Sequence, residues 1–467
     1  VIRRLAFGAA IVLGGAAAGA FAAEDPTGIV LPQLDESGLI EAHKSYWIPA
    51  LEIIGFDLLL NQFNRRYFEG DDFSTSASSV KRNLESGWVV DGDPYDINQL
   101  GHPYQGSMYH GFARSAGLGY WPSLAYTFAG SWFWEIAGET TAPSINDQIA
   151  SGIGGSFLGE ALFRMSSLVL EKGTGVPRFW RELGAAVVSP PTGFNRLAFG
   201  ERFDTVFSSR NPAYYSRFSL ALSGTTQNDP GTSTKLERGE LLADFSLDYG
   251  LPGKPGYAYR RPFDYFAFQI TASSANAVEN VLLRGLLLGD EYQAGRSYRG
   301  VWGLYGSYDY IAPQIYRVSS TAVSLGTTAE WRLSRTLSLQ GTALAGAGYA
   351  AVGTMQGSSD EYHYGIAPQA LLALRLIFGD RASLDLTGRE YFVGKAAAAD
   401  IGGHDNIVRV DAALTVRLYR QQAVAVRYLH NRRDASFPAG DLTQTRATLG
   451  IFYVMLGHDR FGTFDWR

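Results

Sequence analysis

The chain has no cysteine, and charged residues make up only 18% of its 467 positions. The missing thiols exclude disulfides, a lipid-modified cysteine and thiolate chemistry. Few charges alongside 46% hydrophobic residues exclude an intrinsically disordered chain. Repeated apolar runs of about 20 residues are also lacking, which excludes a polytopic helical membrane protein. The formal net charge is −5, two units more acidic if Arg3 and Arg4 leave with a leader. Such a chain offers no basic footprint, so no nucleic-acid partner is expected.

What is abundant points elsewhere. There are 54 glycines and 13% aromatic residues, against roughly 7% glycine in an average chain. Mean hydropathy is −0.07. Glycine and aromatics at intermediate hydropathy fit a membrane β-barrel. The N-terminus supplies a route: Ile2-Arg3-Arg4, the apolar stretch Leu5 to Ala18, and Ala20-Phe21-Ala22 read as a secretory signal peptide over 1–22. A retained membrane anchor is the alternative, but the apolar run is short and has no stop-transfer flank. A linker over 23–43 would follow.

From Tyr214 onward the pattern has period two. Val408, Val410, Ala412, Leu414, Val416 and Leu418 alternate with Arg409, Asp411, Ala413, Thr415, Arg417 and Tyr419, so one face is apolar and the other polar. The same holds over 323–333 and 381–389. A soluble sandwich would also alternate. Long strands, Tyr and Trp near strand ends, and the signal peptide favour the lipid-facing version. About twelve strands can be counted, in 214–224, 238–249, 263–273, 278–289, 299–310, 319–333, 336–350, 363–378, 381–392, 405–419, 421–433 and 442–455. Tight and long connections alternate in the second half of this region. The alternation breaks at 250–262, long where a tight turn is due, so ten or fourteen strands stay open. The trailing segment Gly457 to Arg467 is a further irregularity. The expected fold is an all-β transmembrane barrel of about 12 antiparallel strands over 205–467, preceded by a small α-helical domain over 44–195.

Polar residues expected to line the lumen are Glu330, Arg332, Arg375, Arg381, Asp385, Arg389, Arg409, Asp411, Arg417 and Arg427. Their mixed signs favour pairing across the lumen over a selectivity ring, which tends to carry one sign.

The N-terminal half reads as helices. Ser45 to Phe68 places Ile48, Leu51, Ile54, Leu58 and Leu59 on one stripe, interrupted by Glu52 and Asp57; 71–87 reads as a loop. Helices follow at 96–118, 121–141 and 144–172, starting near Asp96, Pro122 and Ser144, then a short one at 177–188 before Pro190-Pro191. Ser151, Gly155 and Gly159 form a small-residue face that lets another backbone approach. Polar groups are set into this apolar module: Asn98-x-x-x-His102-Pro103-x-x-Gly106, His110, Arg114, the i, i+4 pair Glu135 and Glu139, Pro143-Ser144-x-Asn146-Asp147, and Glu160 with Arg164.

Those motifs, with Tyr109, Ala113-Arg114 and Gly154-Gly155…Gly159-Glu160, resemble a bacterial outer-membrane family whose N-terminal module is a domain of unknown function. The resemblance covers about 80–190. It implies an outer-membrane location and a barrel partner, and carries over no activity.

Three uses of the polar cluster follow from the residues. In a hydrolytic site, His102, Glu135, Glu139, Asp147 and Glu160 would be the catalytic candidates, with Ser107 or Ser144 as nucleophile, although neither serine lies in a G-x-S-x-G elbow. Asp147 three residues after Ser144 equally fits a helix cap, and Glu160–Arg164 an intrahelical ion pair. In a metal site, His102 with Glu135 and Glu139 would be the ligands, but no H-E-x-x-H or paired-histidine spacing is present, so no metal or cofactor is expected. In a structural module, the buried groups bond the helices to one another. The expectation is therefore a porin-like outer-membrane barrel with a helical plug or base, acting in solute or amphiphile passage or in envelope structure. The alternative is an outer-membrane hydrolase or acyl-group enzyme acting on lipid or envelope substrates. Outer-membrane lipid and the barrel assembly machinery are the expected partners.

Overall fold

The computed structural model describes residues 44–463 apart from 68–70, 173–174, 205, 229–234, 355–361, 395–402, 439 and 458–460. The stretch 1–22 expected as a signal peptide and the expected linker over 23–43 lie outside the described residues. The described chain divides at Ser209/Arg210 into a helical unit and a barrel unit.

In the helical unit, α1 (Trp47–Tyr67) is followed by α2 (Ala77–Glu85), α3 (His102–Ser115), α4 (Tyr120–Phe133), α5 (Ile145–Asp147), α6 (Gly155–Lys172), α7 (Arg178–Val188) and α8 (Pro190–Phe199). Three π-helical segments interrupt the series, at Ile97–Gly101, Trp134–Gly138 and Gln148–Gly154. Two readings of the sequence need correction here. The stretch expected as a loop contains α2, started by a reciprocal cap between Ser76 and Ser79; the serine-rich composition that suggested a loop supplies the cap. Pro190-Pro191 does not end the helices but opens α8, at positions where a helix needs no N–H.

The module is polar inside. On α1 the buried residues are Pro49, Ile53, Asp57 and Asn61, while Leu51, Leu58 and Leu59 are exposed. The apolar stripe is therefore the outer face, and the interrupting Asp57 marks the inner one. The helix 145–172 is apolar enough to cross a membrane by length and composition, yet 89% of its apolar window is buried within the protein, as in a core helix. The small-residue face of α6 works as expected. A Cβ on Gly106 of α3 would stand 2.1 Å from the Ser151 carbonyl oxygen, and one on Gly155 2.6 Å from Gly106 Cα. The two backbones touch at a distance only glycine permits.

The barrel unit is a closed antiparallel barrel of twelve strands in sequence order, with β1 closing on β12. The strands are β1 (Tyr214–Asn228), β2 (Lys235–Tyr249), β3 (Phe266–Ser273), β4 (Asn280–Ala294), β5 (Tyr298–Ile311), β6 (Tyr316–Arg332), β7 (Leu337–Thr354), β8 (Tyr362–Phe378), β9 (Ala382–Val393), β10 (His404–Tyr419), β11 (Gln422–Phe437) and β12 (Gly440–Leu456). Closure removes every free sheet edge. Side-chain alternation sends Val410, Leu414, Val416 and Leu418 of β10 outward and Arg409 and Thr415 inward. The barrel is thus apolar outside and polar inside, inverted relative to a soluble barrel.

The irregularities have a common structural explanation. The long β2–β3 connection puts Leu251 into a buried cluster with Tyr215, Ile377 and Phe461, Gly250 turning the chain at φ 71°. The trailing segment returns to the same cluster, and Gln340 donates to the Gly462 carbonyl at 2.9 Å. A long connection and the chain's tail therefore fill the end of the barrel where tight turns lie, instead of adding or removing strands.

Candidate functional site

Three wide helical turns bring three ionisable side chains together. His102 directly follows the first π-helical segment, Glu135 lies in the second, and Asp147 directly precedes the third. π-helical turns spread the backbone and are frequent at functional sites. One ring nitrogen of His102 and one carboxylate oxygen each of Glu135 and Asp147 lie within 4.8 Å of one another. All three residues are at most 4% exposed.

The surroundings fix these groups. Ser144 N–H donates to Glu135 Oε2 at 2.8 Å, and the other oxygen, Oε1, is buried without a hydrogen bond. Ser144 Oγ accepts from Asp147 N–H at 3.2 Å, capping α5. Asn146 donates to Asp147 Oδ1 at 3.1 Å and to Asp91 Oδ1 at 2.8 Å, and Asn98 donates to Asp91 at 2.6 Å. His102 Nε2 faces Asp147 Oδ2 at 3.8 Å, and its Nδ1 lies 3.3 Å from Ser151 Oγ. The second π-helical segment is held at its end by Asn61, which donates to the Gly138 carbonyl, and by Asn83, which donates to that of Glu139.

Electrostatics follow from burial among like charges. Burial raises Glu135 to about 9, with Glu139, Asp91 and Asp93 adding to the rise against the Ser144 hydrogen bond. Asp147 is raised by burial and then by Asp91 and Glu135. Burial lowers His102 to about 4, opposed by Asp91. Among the described residues no lysine or arginine is ion-paired with Glu135 or Asp147.

The other candidates lie elsewhere. Glu139 does not share a helical face with Glu135, because the helix ends at Gly138 and Glu139 is extended at φ −130°. Its carboxylate accepts from Trp134 Nε1 at 2.7 Å and from Thr141, and burial followed by Asp93 raises it to about 7. Glu160 is fully buried in a separate knot, 2.7 Å from Nε of both Arg114 and Arg164 and 3.2 Å from His110 Nε2. Burial pushes its carboxyl up, but the two guanidinium groups and His110 outweigh that and hold it below the usual carboxylate range. Its spacing to Arg164 already suggested an ion pair; the second arginine comes from α3.

In the barrel the expected lumenal charges are mostly paired, some across the interior and others with a neighbouring strand. Arg375 of β8 reaches Asp248 of β2 at 3.0 Å and Asp385 at 2.7 Å. Arg217 meets Asp385, Arg389 meets Asp309, and Arg427 meets Asp411 and Asp244. Arg409 donates to Asn431 and Glu330 accepts from Gln340. Arg332 lies half-buried on the Glu330 face, at the end of β6. Arg417 pairs with Asp380 of the β8–β9 turn. Arg381 is the exception, exposed in that turn and outside the lumen, because the alternating pattern runs one residue past the strand. Between these pairs a cavity of about 110 Å³ remains.

Sequence reasoning missed two residues of the helical cluster. Asp91 lies in a segment given no element, although Asp91-Gly-Asp-Pro is an acidic turn. Ser151 was read only as a small packing residue.

Comparison with known proteins places this cluster in a family domain. Residues 87–191 match the family model of a domain of unknown function, DUF3943. The DUF3943 segment contains His102, Glu135, Asp147, Ser151 and Glu160, and agrees with the resemblance read from the motifs. No curated protein matches the sequence. Solved structures that align with it include the translocator domain of the autotransporter NalP from Neisseria meningitidis, at 13% identity over 52% of this chain and 88% of that one, TM-score 0.24. The KdgM porin aligns at 8% identity over 50% and 98%, TM-score 0.23. Ail of Yersinia pestis aligns at 10% over 52% and 98%, TM-score 0.17. At such scores the barrel of this chain rests on its own strand pairing.

Proposed function

We propose that this chain is an outer-membrane protein whose barrel is a non-conducting anchor and whose helical DUF3943 module carries its envelope role. One observation supports the anchor reading above passage of a solute: opposite walls are bridged. The strands β2 and β8 stand six positions apart around the twelve, yet Asp248 and Arg375 are 3.0 Å apart. The strands β6 and β12 are likewise opposite, and Gln444 donates to the carbonyl of Ile315, which immediately precedes β6, at 2.6 Å.

The apolar exterior supports outer-membrane lipid as the surrounding partner, and closure of β1 on β12 supports insertion by the barrel assembly machinery. Short turns face the periplasm in such barrels, and β1 starts at the short-turn end. Liposomes containing the purified protein test the anchor reading. Swelling in isotonic small sugars should match protein-free liposomes, and swelling that scales with protein content would refute it.

A second reading has one observation in its favour. Ser151, His102 and Asp147 stand in the spatial order of nucleophile, base and orienting acid, with the two ring nitrogens exchanged relative to serine hydrolases and the acid 3.8 Å away. Against it, Ser151 is 1% exposed and its backbone is pressed on Gly106, so a substrate carbonyl has no approach.

A further inference from the structure

We propose that His102, Asp147 and Glu135 form a binding site for a divalent transition-metal ion of the zinc class, which ties the three π-helical segments of the module together. The site is built from residues of the helical unit alone, and the inference stands independently of whether the barrel conducts.

Several observations converge on it. Donor atoms of the three residues lie within 4.8 Å of one another, whereas two ligands of one tetrahedral zinc ion stand roughly 3.4 Å apart at bond lengths near 2.1 Å. The residues need only close by a side-chain adjustment. The gap between His102 Nε2 and Asp147 Oδ2, at 3.8 Å, is too long for a hydrogen bond and suits an ion held between them. Glu135 is 2% exposed, and its Oε1 has no hydrogen-bond partner. A charged oxygen left bare inside a protein is costly, so without a counter-ion such a carboxyl keeps its proton, and a cation that takes the proton's place satisfies it. The charge balance points the same way: carboxylates converge here with no arginine or lysine paired to Glu135 or Asp147, whereas Glu160 in the same module has two arginines.

The outer contacts also fit. When Nε2 of a histidine holds a metal, its Nδ1–H normally donates to a neighbouring oxygen, and Ser151 Oγ stands 3.3 Å from Nδ1. Asn146 and the Ser144 N–H hold the remaining carboxylate oxygens. One imidazole and two carboxylates suit borderline Zn²⁺ or the harder Mn²⁺ better than soft Cu⁺, and give too few oxygens for Ca²⁺.

The test uses the full chain purified in detergent, stripped with chelator and titrated with Zn²⁺ and separately with Mn²⁺ by calorimetry. Bound metal is then counted by mass spectrometry. The expected result is about one ion per chain and a rise of several degrees in the melting temperature of the helical signal. Asp147→Asn with Glu135→Gln should cut binding at least about tenfold, while His363→Ala, which removes the histidine beside Asp405 in the barrel, should leave it unchanged. If the double variant does not fold, Co²⁺ added to the wild-type protein decides, through visible bands of nitrogen and oxygen ligation. A folded wild-type protein that takes up none of these ions would overturn the proposal. So would a folded double variant that binds as well as wild type.

Discussion

Replacing Glu160 by glutamine isolates the largest buried charge balance in the helical module. Glu160 is fully buried and receives Nε–H bonds from Arg114 and Arg164, both at 2.7 Å, with His110 Nε2 at 3.2 Å. Glutamine keeps the shape but takes the carboxylate charge away from two guanidinium groups that are 7% and 1% exposed. Breaking one side of a buried ion pair costs about 3–5 kcal/mol, and a domain's whole stability is about 5–15 kcal/mol. At roughly 2–4 °C per kcal/mol for a unit of this size, the module should melt some 6–20 °C lower. Helical ellipticity follows it selectively, because the barrel contributes β signal. The pH dependence has a definite sign. The Glu160 carboxyl is held below its ordinary range, so its contribution is complete at neutral pH and is lost as pH falls through the folded-state value. Wild type and Glu160→Gln should therefore converge in strong acid. A melting shift under about 2 °C at neutral pH, equivalent to less than 1 kcal/mol, would refute the reasoning.

Other expectations follow from single contacts. Asp57 is buried with Oδ1 accepting from Tyr109 at 2.5 Å and Oδ2 unbonded. Burial raises its pKa against the Tyr109 and Gln105 hydrogen bonds, so its destabilising contribution grows as pH rises through the folded-state value. Asp57→Asn should flatten that decline and stabilise the module by about 1–3 kcal/mol in alkaline buffer; chemical denaturation at two pH values checks it. Gly106→Ala puts a methyl group against the Ser151 carbonyl and should cost about 1–3 kcal/mol or more, measured by the same unfolding curves. A fluorophosphonate should not label Ser151 in the folded protein, since the hydroxyl is enclosed; labelling detected by peptide mapping would favour the hydrolase reading.

The barrel was legible because its signal is repeated and local. Period-two alternation in β10, with Val410 and Leu414 outward and Arg409 inward, fixes a strand and its register together. Each of the twelve expected stretches overlaps one observed strand. The β2–β3 connection misled because nothing local says that Leu251 turns inward to meet Phe461 from the far end of the chain. In the helical module the polar residues were visible, but their grouping was not. Glu135 and Glu139 share a face only in a regular α-helix, and the π-helical turn with its extended exit separates them. Glu160 and Asp147 look alike in sequence as acids near a helix start. Arg114 on α3 distinguishes them, and its position depends on the glycine-to-glycine crossing of α3 and α6. The inward rotation of α1 was hidden for a similar reason, since an apolar stripe ordinarily marks the core side.

Single-channel recording in planar bilayers reads whether the bridged opposite walls close the barrel. The intact protein should give no discrete conductance at moderate voltage. Arg375→Ala and Gln444→Ala together remove one contact between each of these two pairs of opposite strands, and the double variant should show ion-permeable openings. Steady porin-sized currents from the unaltered protein, the same before and after those substitutions, would contradict that closure.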